Sequence, residues 1–133
     1  MGSLKTFLAI LAVWFSSVPA MSFPESVADR ALVFADCLGR YSAQREHGWL
    51  VGGEDPHTED SFAIFGALYA ASLPDARQTG TSEALLLHHR IVAKADQARL
   101  LNGARFHTDP RHRQRFTLEA RKRLLQCEML VFG

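Results

Sequence analysis

The stretch PESVADRALVFADCLGRYSAQREHGWL, residues 24–50, determines the fold predicted for this chain. Its apolar side chains recur every three or four residues, which places them along one face of a helix. These side chains are Val27, Ala31, Phe34, Leu38 and Tyr41. Ser22 precedes Glu25 by three residues, the spacing of an N-terminal capping box. We therefore expect a first helix from about Pro24 to Leu50 with one buried face.

A second helix is expected after the break at residues 51–58, which contains two glycines and a proline. Thr58 is the predicted N-cap, and the helix then runs from Glu59 to about Leu73, where Pro74 ends it. Its predicted core residues are Phe62, Phe65, Leu68 and Tyr69.

A third helix is expected to begin at Ser82 or Thr81 and to run to about Leu101. The pair Asn102-Gly103 then forms a typical helix stop. The residues predicted to face the core from this helix are Leu87, Ile91, Ala95 and Ala98.

The fourth helix is expected to begin at Asp109-Pro110, because aspartate is a favoured N-cap and proline is tolerated at the first helical position. Its predicted core residues are Phe116, Ala120, Leu124, Cys127 and Val131. No segment alternates with the period of a strand for long enough to predict one. We therefore expect an all-α fold, a four-helix antiparallel bundle-like domain.

The length and composition of the chain are those of one globular domain. Its 133 residues are 47% hydrophobic and 22% charged, which excludes a disordered tail, a collagen-like fibre and a multi-pass membrane protein. The formal net charge is +1, so no strong overall field attracts nucleic acid. We expect no nucleic-acid partner.

Residues 1–20 have the layout of a secretory signal peptide. One lysine precedes an uncharged apolar run, and Val18 and Ala20 supply the small residues of a cleavage site. An uncleaved membrane anchor is the alternative, but a spanning helix needs about 20 apolar residues and this run is shorter. We expect cleavage after Ala20, a single helical domain at residues 21–133 without a stable membrane span, and a periplasmic or secreted location.

Cys37 and Cys127 are the two cysteines of the chain. In an oxidising compartment they allow one intramolecular disulfide, which would join the first helix to the last. Two buried free thiols or an intermolecular bridge are the alternatives. Because the spacing is neither that of a CxxC redox site nor that of a CxxCH haem attachment, the expected bond is structural.

Charge is distributed unevenly along the chain. Residues 21–60 carry eight acidic and three basic side chains, whereas residues 105–133 carry seven basic and three acidic ones. One interpretation is that these charges face each other across the bundle. The other is that Arg111, Arg113 and Arg115 bind an anionic partner, since they lie near a helix start, where the macrodipole disfavours cations.

Trp49 is a further candidate contact residue. It lies beside His47 at the predicted end of the first helix, where an exposed tryptophan would be available to a partner. The alternative is a tryptophan that packs in the core.

The sequence lacks the motifs of common enzymes and metal sites. It contains no GxSxG, GxxxxGK[ST], GxGxxG or SxxK. His88 and His89 are adjacent and point about 100° apart on a helix, so they cannot share one ion. His107 and His112 do not have a recognised ligand spacing. We expect no catalytic residue, no metal and no cofactor.

Several stretches carry a resemblance to a class of exported proteins. They are DCLGRYSAQ at residues 36–44, EHGWL at 46–50 and KADQARLL at 94–101, together with the late Cys127. The chain resembles small secreted helical proteins of alphaproteobacterial type over most of residues 21–133. The resemblance implies export and the disulfide and adds no catalytic residue.

These observations favour an exported, non-enzymatic helical module that binds a protein or envelope partner. A small-ligand or metal carrier of the periplasm is the alternative, and an enzyme is the third hypothesis. Native mass spectrometry distinguishes the first two, because a stoichiometric small molecule or metal favours the carrier and a retained protein favours the module.

Overall fold

A computed structural model of the protein describes residues 26–133, which form four helices. They are α1 (Val27–Val51), α2 (Pro56–Gln78), α3 (Glu83–Phe106) and α4 (Pro110–Phe132). No strand occurs within this range. The predicted all-α, four-helix fold is confirmed. The predicted signal peptide, its cleavage site and the capping box at residues 22–25 lie outside the described residues.

The helix α1 begins at Val27, where its apolar pattern starts, and not at about Pro24 as predicted. Ser26 is its N-cap, and the Ser26 hydroxyl accepts a hydrogen bond from the backbone N–H of Asp29 at 3.0 Å. Serine is a strong capping residue, and here it satisfies one of the free N–H groups of the first turn. At the other end, Gly52 adopts the left-handed conformation (φ 73°) that glycine accommodates without strain.

The bounds of α2 differ from those predicted. Asp55, not Thr58, is the N-cap, because its carboxylate accepts hydrogen bonds from the N–H groups of His57 and Thr58 at 3.2 Å. Pro74 does not end the helix, which continues to Gln78. The last turn is held by packing instead, since Ala76 is fully buried in a cluster with side chains of α1 and α3.

The bounds of α3 also differ at its C-terminal end. Ser82 is the N-cap, as expected, and its hydroxyl accepts a hydrogen bond from the N–H of Leu85 at 3.1 Å. However, the helix continues through Asn102-Gly103 to Phe106. A β-carbon at position 103 would lie 2.6 Å from the ring of Phe116 on α4, so this glycine permits close helix packing rather than marking a stop.

The predicted core face of α3 is wrong. Leu87 and Ile91 are exposed, by 51% and 56% of their surface. The residues of α3 that are buried are Leu86, Ala93, Gln97, Leu100 and Leu101. This face is rotated by about one residue position, or roughly 100°, from the predicted one.

The helices run alternately up and down. Tyr41 of α1 stacks on Phe65 of α2, with ring centroids 5.5 Å apart, and these two side chains are central to the main core cluster. Helix α1 packs most extensively on α3 and then on α2, whereas α4 packs mainly on α3. Near the C-terminal end of α4, Cys127 is bonded to Cys37 of α1, with their Cα atoms 5.7 Å apart. The predicted disulfide is confirmed.

Helix α4 begins as its sequence predicts, with Asp109 as N-cap and Pro110 at the first helical position. Ala120 and Cys127 are its buried residues. Within residues 26–133, no helix combines the length and the apolar character that a membrane crossing requires.

Candidate functional site

The solvent-facing side of α4 carries a continuous row of exposed side chains. Starting at Arg111, they recur with spacings of four and three residues, so they lie along one stripe of the helix. The row consists of Arg111, Arg115, Leu118, Lys122, Leu125, Met129 and Phe132, and we refer to it as the outer α4 seam. Its four large apolar side chains are each between 44% and 61% exposed.

The acidic residues of α4 lie away from this seam and interact with the rest of the fold. Glu119 accepts a hydrogen bond from Arg123 of the same helix at 3.4 Å. Glu128 accepts a hydrogen bond from the Tyr41 hydroxyl at 3.2 Å and lies 2.9 Å from Nε2 of His57. The outer α4 seam therefore combines three cations with four apolar side chains and contains no carboxylate.

The pKa values of Tyr41 and His57, the two side chains that contact Glu128, are both raised. Burial is the main cause that raises the pKa of Tyr41 to about 12, and the nearby charge of Glu128 contributes in the same direction. The hydrogen bond that the His57 ring donates to the Glu128 carboxylate raises the pKa of His57 above its ordinary value, because it favours the protonated ring. Glu128 thus links α4 to both α1 and α2 on a side of the helix about 100° away from the seam residue Met129.

The structure separates the three arginines that the sequence grouped together. All three are exposed, and within residues 26–133 none of their guanidinium groups forms an ion pair. Arg111 and Arg115 are one turn apart on the outer α4 seam. Arg113 lies on another side of α4, where it lines a shallow depression together with His47 and Arg105. The spacing of two residues, which is natural for a strand, does not bring side chains together on a helix.

Trp49 lies apart from these arginines on the α1–α2 side of the molecule. Its side chain is 52% exposed, so it is not a core tryptophan. The Arg45 guanidinium carbon lies 4.8 Å from the Trp49 ring centroid and 3.7 Å from that of Phe62. Because Arg45 contacts both aromatic faces, Trp49 has an intramolecular cation–π partner.

A second feature is a cleft of about 260 Å³ between α1, α3 and α4, which we call the Arg40 cleft. Its lining residues are Asp36, Arg40, His88, His89, Val92, Ala93, Asp96 and Arg123. Most of its charged side chains are paired. Nδ1 of His89 lies 3.1 Å from Oδ1 of Asp36, and Arg123 lies 3.6 Å from Asp96.

Arg40 is the exception in this cleft. Its Nη1 atom donates to the main-chain carbonyl of Arg123 at 3.2 Å and to Sγ of Cys127 at 3.6 Å. Within residues 26–133 no carboxylate lies within ion-pair distance of its guanidinium. Burial lowers the pKa of Arg40, and the charge of Asp36 opposes this shift.

The histidines do not converge on a common point. His112 lies 3.0 Å from the carboxylate of Asp109, and its ring centroid is 4.8 Å from that of His107. No cluster of three or more His, Cys, Asp or Glu side chains suited to a metal ion occurs in the described part of the chain.

Sequence reasoning missed both the apolar half of the outer α4 seam and the Arg40 cleft. The spacings of four and three residues from Arg111 to Phe132 are visible in the sequence, but α4 also carries a second apolar stripe through Phe116, Ala120, Leu124 and Cys127, which was predicted to form the core. Arg40 follows Asp36 by four residues, a spacing that favours an ion pair on a helix, so nothing local indicates that Arg40 will lack a carboxylate contact.

Comparison with protein-family models, with curated protein sequences and with solved structures finds no match to this chain.

Proposed function

We propose that this protein is an exported, non-enzymatic helical module that binds an acidic amphipathic helix of a partner protein through the outer α4 seam. The observation that carries the proposal is the continuous exposure of seven side chains in heptad spacing along one helix. Exposed apolar rows rimmed by charge are typical of protein-binding surfaces.

The spacing of the seam favours a helical partner. Side chains that alternate between four and three residues apart form the contact line along which two helices pack at about 20°. The 23 residues of α4 span about 35 Å, which is long enough for five turns or more of a partner helix. A helix laid on this line would bury Leu118, Leu125, Met129 and Phe132.

The charges of the seam favour an acidic partner over a second copy of this chain. Arg111 and Arg115 occupy its N-terminal end, and Lys122 lies near its centre. In an antiparallel pair of α4 helices, Lys122 would face Lys122 of the other copy, and in a parallel pair every cation would face its equivalent. Like charges directly opposed at a helix interface are destabilising, so a partner with Asp or Glu opposite these positions fits better.

Export is supported by two features of the chain. The first 20 residues have the signal-peptide layout, and the disulfide is of the kind that persists in oxidising compartments. N-terminal sequencing of the protein recovered from its native host is expected to begin at Met21. Recovery of chains that retain Met1 would contradict cleavage.

Site-specific photo-crosslinking in the native host tests the proposed interface. A benzoylphenylalanine residue is placed at Leu118 or Leu125, with Ile91 on α3 as a matched control of similar exposure (56% against 59% for Leu118). We expect adducts from positions 118 and 125 and at most weak adducts from position 91. Mass spectrometry should place the crosslinked partner peptide in an acidic amphipathic helical segment.

Several outcomes would overturn this proposal. Equal crosslinking from position 91 would show that the seam is not selective. Adducts with a second copy of this chain, or with lipid, would assign the seam to self-association or to a membrane surface. Absence of adducts from both seam positions would show that the seam has no partner under those conditions.

A further inference from the structure

We propose that the Arg40 cleft binds a small monocarboxylate with a short apolar chain. This inference is independent of the proposed function, because the cleft is formed by α1, α3 and one side chain of α4 and includes no residue of the outer α4 seam.

The ion pairs of the cleft leave the Arg40 guanidinium without a direct carboxylate contact among the described residues. Asp36 is occupied by His89, and Asp96 interacts with both Arg123 and Arg99. A half-buried guanidinium loses hydration on folding, and Asp36 and Asp96 act on it without a direct contact, so a ligand carboxylate would supply the hydrogen-bonded ion pair that Arg40 lacks.

The hydrogen-bonding capacity of Arg40 fits a carboxylate. Its Nη1 atom is engaged by the Arg123 carbonyl and by Cys127 Sγ, and these contacts fix the position of the guanidinium. The Nε and Nη2 atoms have no hydrogen-bond partner within residues 26–133. These two atoms form one edge of the planar guanidinium, and such an edge matches the two oxygens of a carboxylate in bidentate geometry.

The other walls of the cleft favour a monoanion that has a short apolar part. Asp36 and Asp96 line the same space, so a dianion such as a phosphate monoester would be repelled more strongly than a carboxylate. Val92 and Ala93 supply apolar surface against which a few methylene groups can pack. The small volume, about 260 Å³, excludes a long acyl chain.

NMR titration of the full chain tests this site, with butyrate as the probe. We expect butyrate to shift amide resonances in residues 36–40, 88–96 and 123 in a saturable manner. Butyramide has nearly the same shape without the charge, and inorganic phosphate is the dianionic comparison. Butyramide is expected to bind at least ~10-fold more weakly, since hydrogen bonds to a charged group exceed neutral ones by about that factor. Phosphate is expected to bind more weakly than butyrate because Asp36 and Asp96 repel its additional negative charge.

Variants locate the binding. Arg40→Met is expected to weaken butyrate binding at least ~10-fold, whereas Arg30→Met is expected to leave it unchanged. Arg30 lies on the same helix about 15 Å from Arg40 and does not line the cleft. Arg40→Lys retains the positive charge but loses the paired N–H donors of the planar guanidinium, so its affinity for butyrate should be intermediate. Circular dichroism shows whether each variant folds. If Arg40→Met does not fold, the binding measurement with Arg40→Lys tests the site in its place.

The proposal is overturned by any of the following results. These are the absence of saturable shifts at ~100 mM butyrate, equal binding of butyramide, tighter binding of phosphate, and unchanged binding in a folded Arg40 variant. Shifts confined to the exposed arginines of α4 would likewise show that the probe binds elsewhere.

Discussion

Gly39 of α1 lies directly against the main-chain carbonyl oxygen of Arg90 on α3, so closely that a β-carbon at position 39 would overlap this oxygen. The same β-carbon would lie 3.1 Å from the backbone nitrogen of Lys94. Both neighbours are backbone atoms and cannot move aside as a flexible side chain does. The largest helix–helix contact in the molecule, between α1 and α3, therefore depends on a residue without a side chain.

The first prediction concerns this contact. Gly39→Ala is expected to destabilise the protein by about 1–3 kcal/mol, because the helices must separate to admit the methyl group. Gly66→Ala on α2 is the matched control, since its β-carbon would meet only Leu38 Cδ1 at an ordinary 3.9 Å. This control should be neutral or stabilising by up to about 1 kcal/mol, the difference in helix propensity. Urea unfolding measures both, and equal stability of the two variants would contradict the prediction.

The second prediction concerns the disulfide between Cys37 and Cys127, which closes a loop of 90 residues. The chain-entropy relation gives about 4–5 kcal/mol for a loop of this length, as an upper value. Cys37→Ser and Cys127→Ser should therefore lower the free energy of unfolding by similar amounts. The double variant should cost little more than either single one, because all three lack the same bond. Additive losses in denaturant unfolding would show that each thiol contributes separately.

The α3 helix shows why a correct helix can be assigned an incorrect face. Leu87 and Ile91 have helical spacing, and so do Leu86, Ala93 and Leu100, which are the residues that are buried. Local periodicity cannot choose between two such stripes. Contacts with α1 determine which stripe of α3 is buried. Gly39 lets the α3 backbone approach closely, and Ala31 packs near Leu86.

The helix ends show a related effect of packing on local signals. Pro74 and Asn102-Gly103 are helix-stopping signals, yet both lie inside helices. At α2, burial of Ala76 stabilises the turn that follows the proline. At α3, the Phe116 ring fills the space that a side chain at position 103 would occupy. These tertiary contacts lie too far along the chain for a local pattern to reveal them.

The candidate sites differ in how far the sequence predicts them. The disulfide is predicted from two cysteines in a chain with an export signal, with free thiols and an intermolecular bridge as alternatives, and the structure confirms the intramolecular bond. The exposure of Arg111 and Arg115 agrees with the surplus of basic residues near the C-terminus. Arg40 lacks a direct carboxylate contact because Asp36 contacts His89 and Asp96 contacts Arg123, each on another helix. No pattern in a single sequence reveals these contacts.

The third prediction concerns the pH dependence of the His57–Glu128 contact. The pKa of His57 is raised in the folded protein, so its stabilising contribution is complete below the unfolded value of about 6.5. The contribution is lost as the pH rises through the raised folded value. Because the His57 side chain is 59% exposed, the effect on stability is small and is best followed through the ring itself.

NMR titration of the His57 ring provides the measurement. In Glu128→Gln the pKa of His57 should fall towards the ordinary value, since the countercharge is removed. In Glu119→Gln, His57 should keep its raised pKa, because Glu119 lies on the same helix as Glu128 but interacts with Arg123. An unchanged His57 pKa in Glu128→Gln would show that the 2.9 Å contact does not form in solution.

The last prediction separates the three arginines of α4 by their positions on the helix. Arg111 and Arg115 lie on the outer α4 seam, whereas Arg113 faces the depression beside His47. The acids that could pair with them across the bundle are occupied elsewhere, since Asp36 contacts His89 and Glu46 contacts Lys94. Charge reversal should therefore not lower the melting temperature of any variant, and a glutamate in the first turn of α4 should raise it slightly. The double variant Arg111→Glu/Arg115→Glu should nevertheless reduce crosslinking from position 118, and Arg113→Glu should reduce it much less.

The loss of crosslinking should shrink at high salt, where exposed charges are screened over less than about 10 Å. Equal losses for the two variants would show that net charge, and not the seam, attracts the partner.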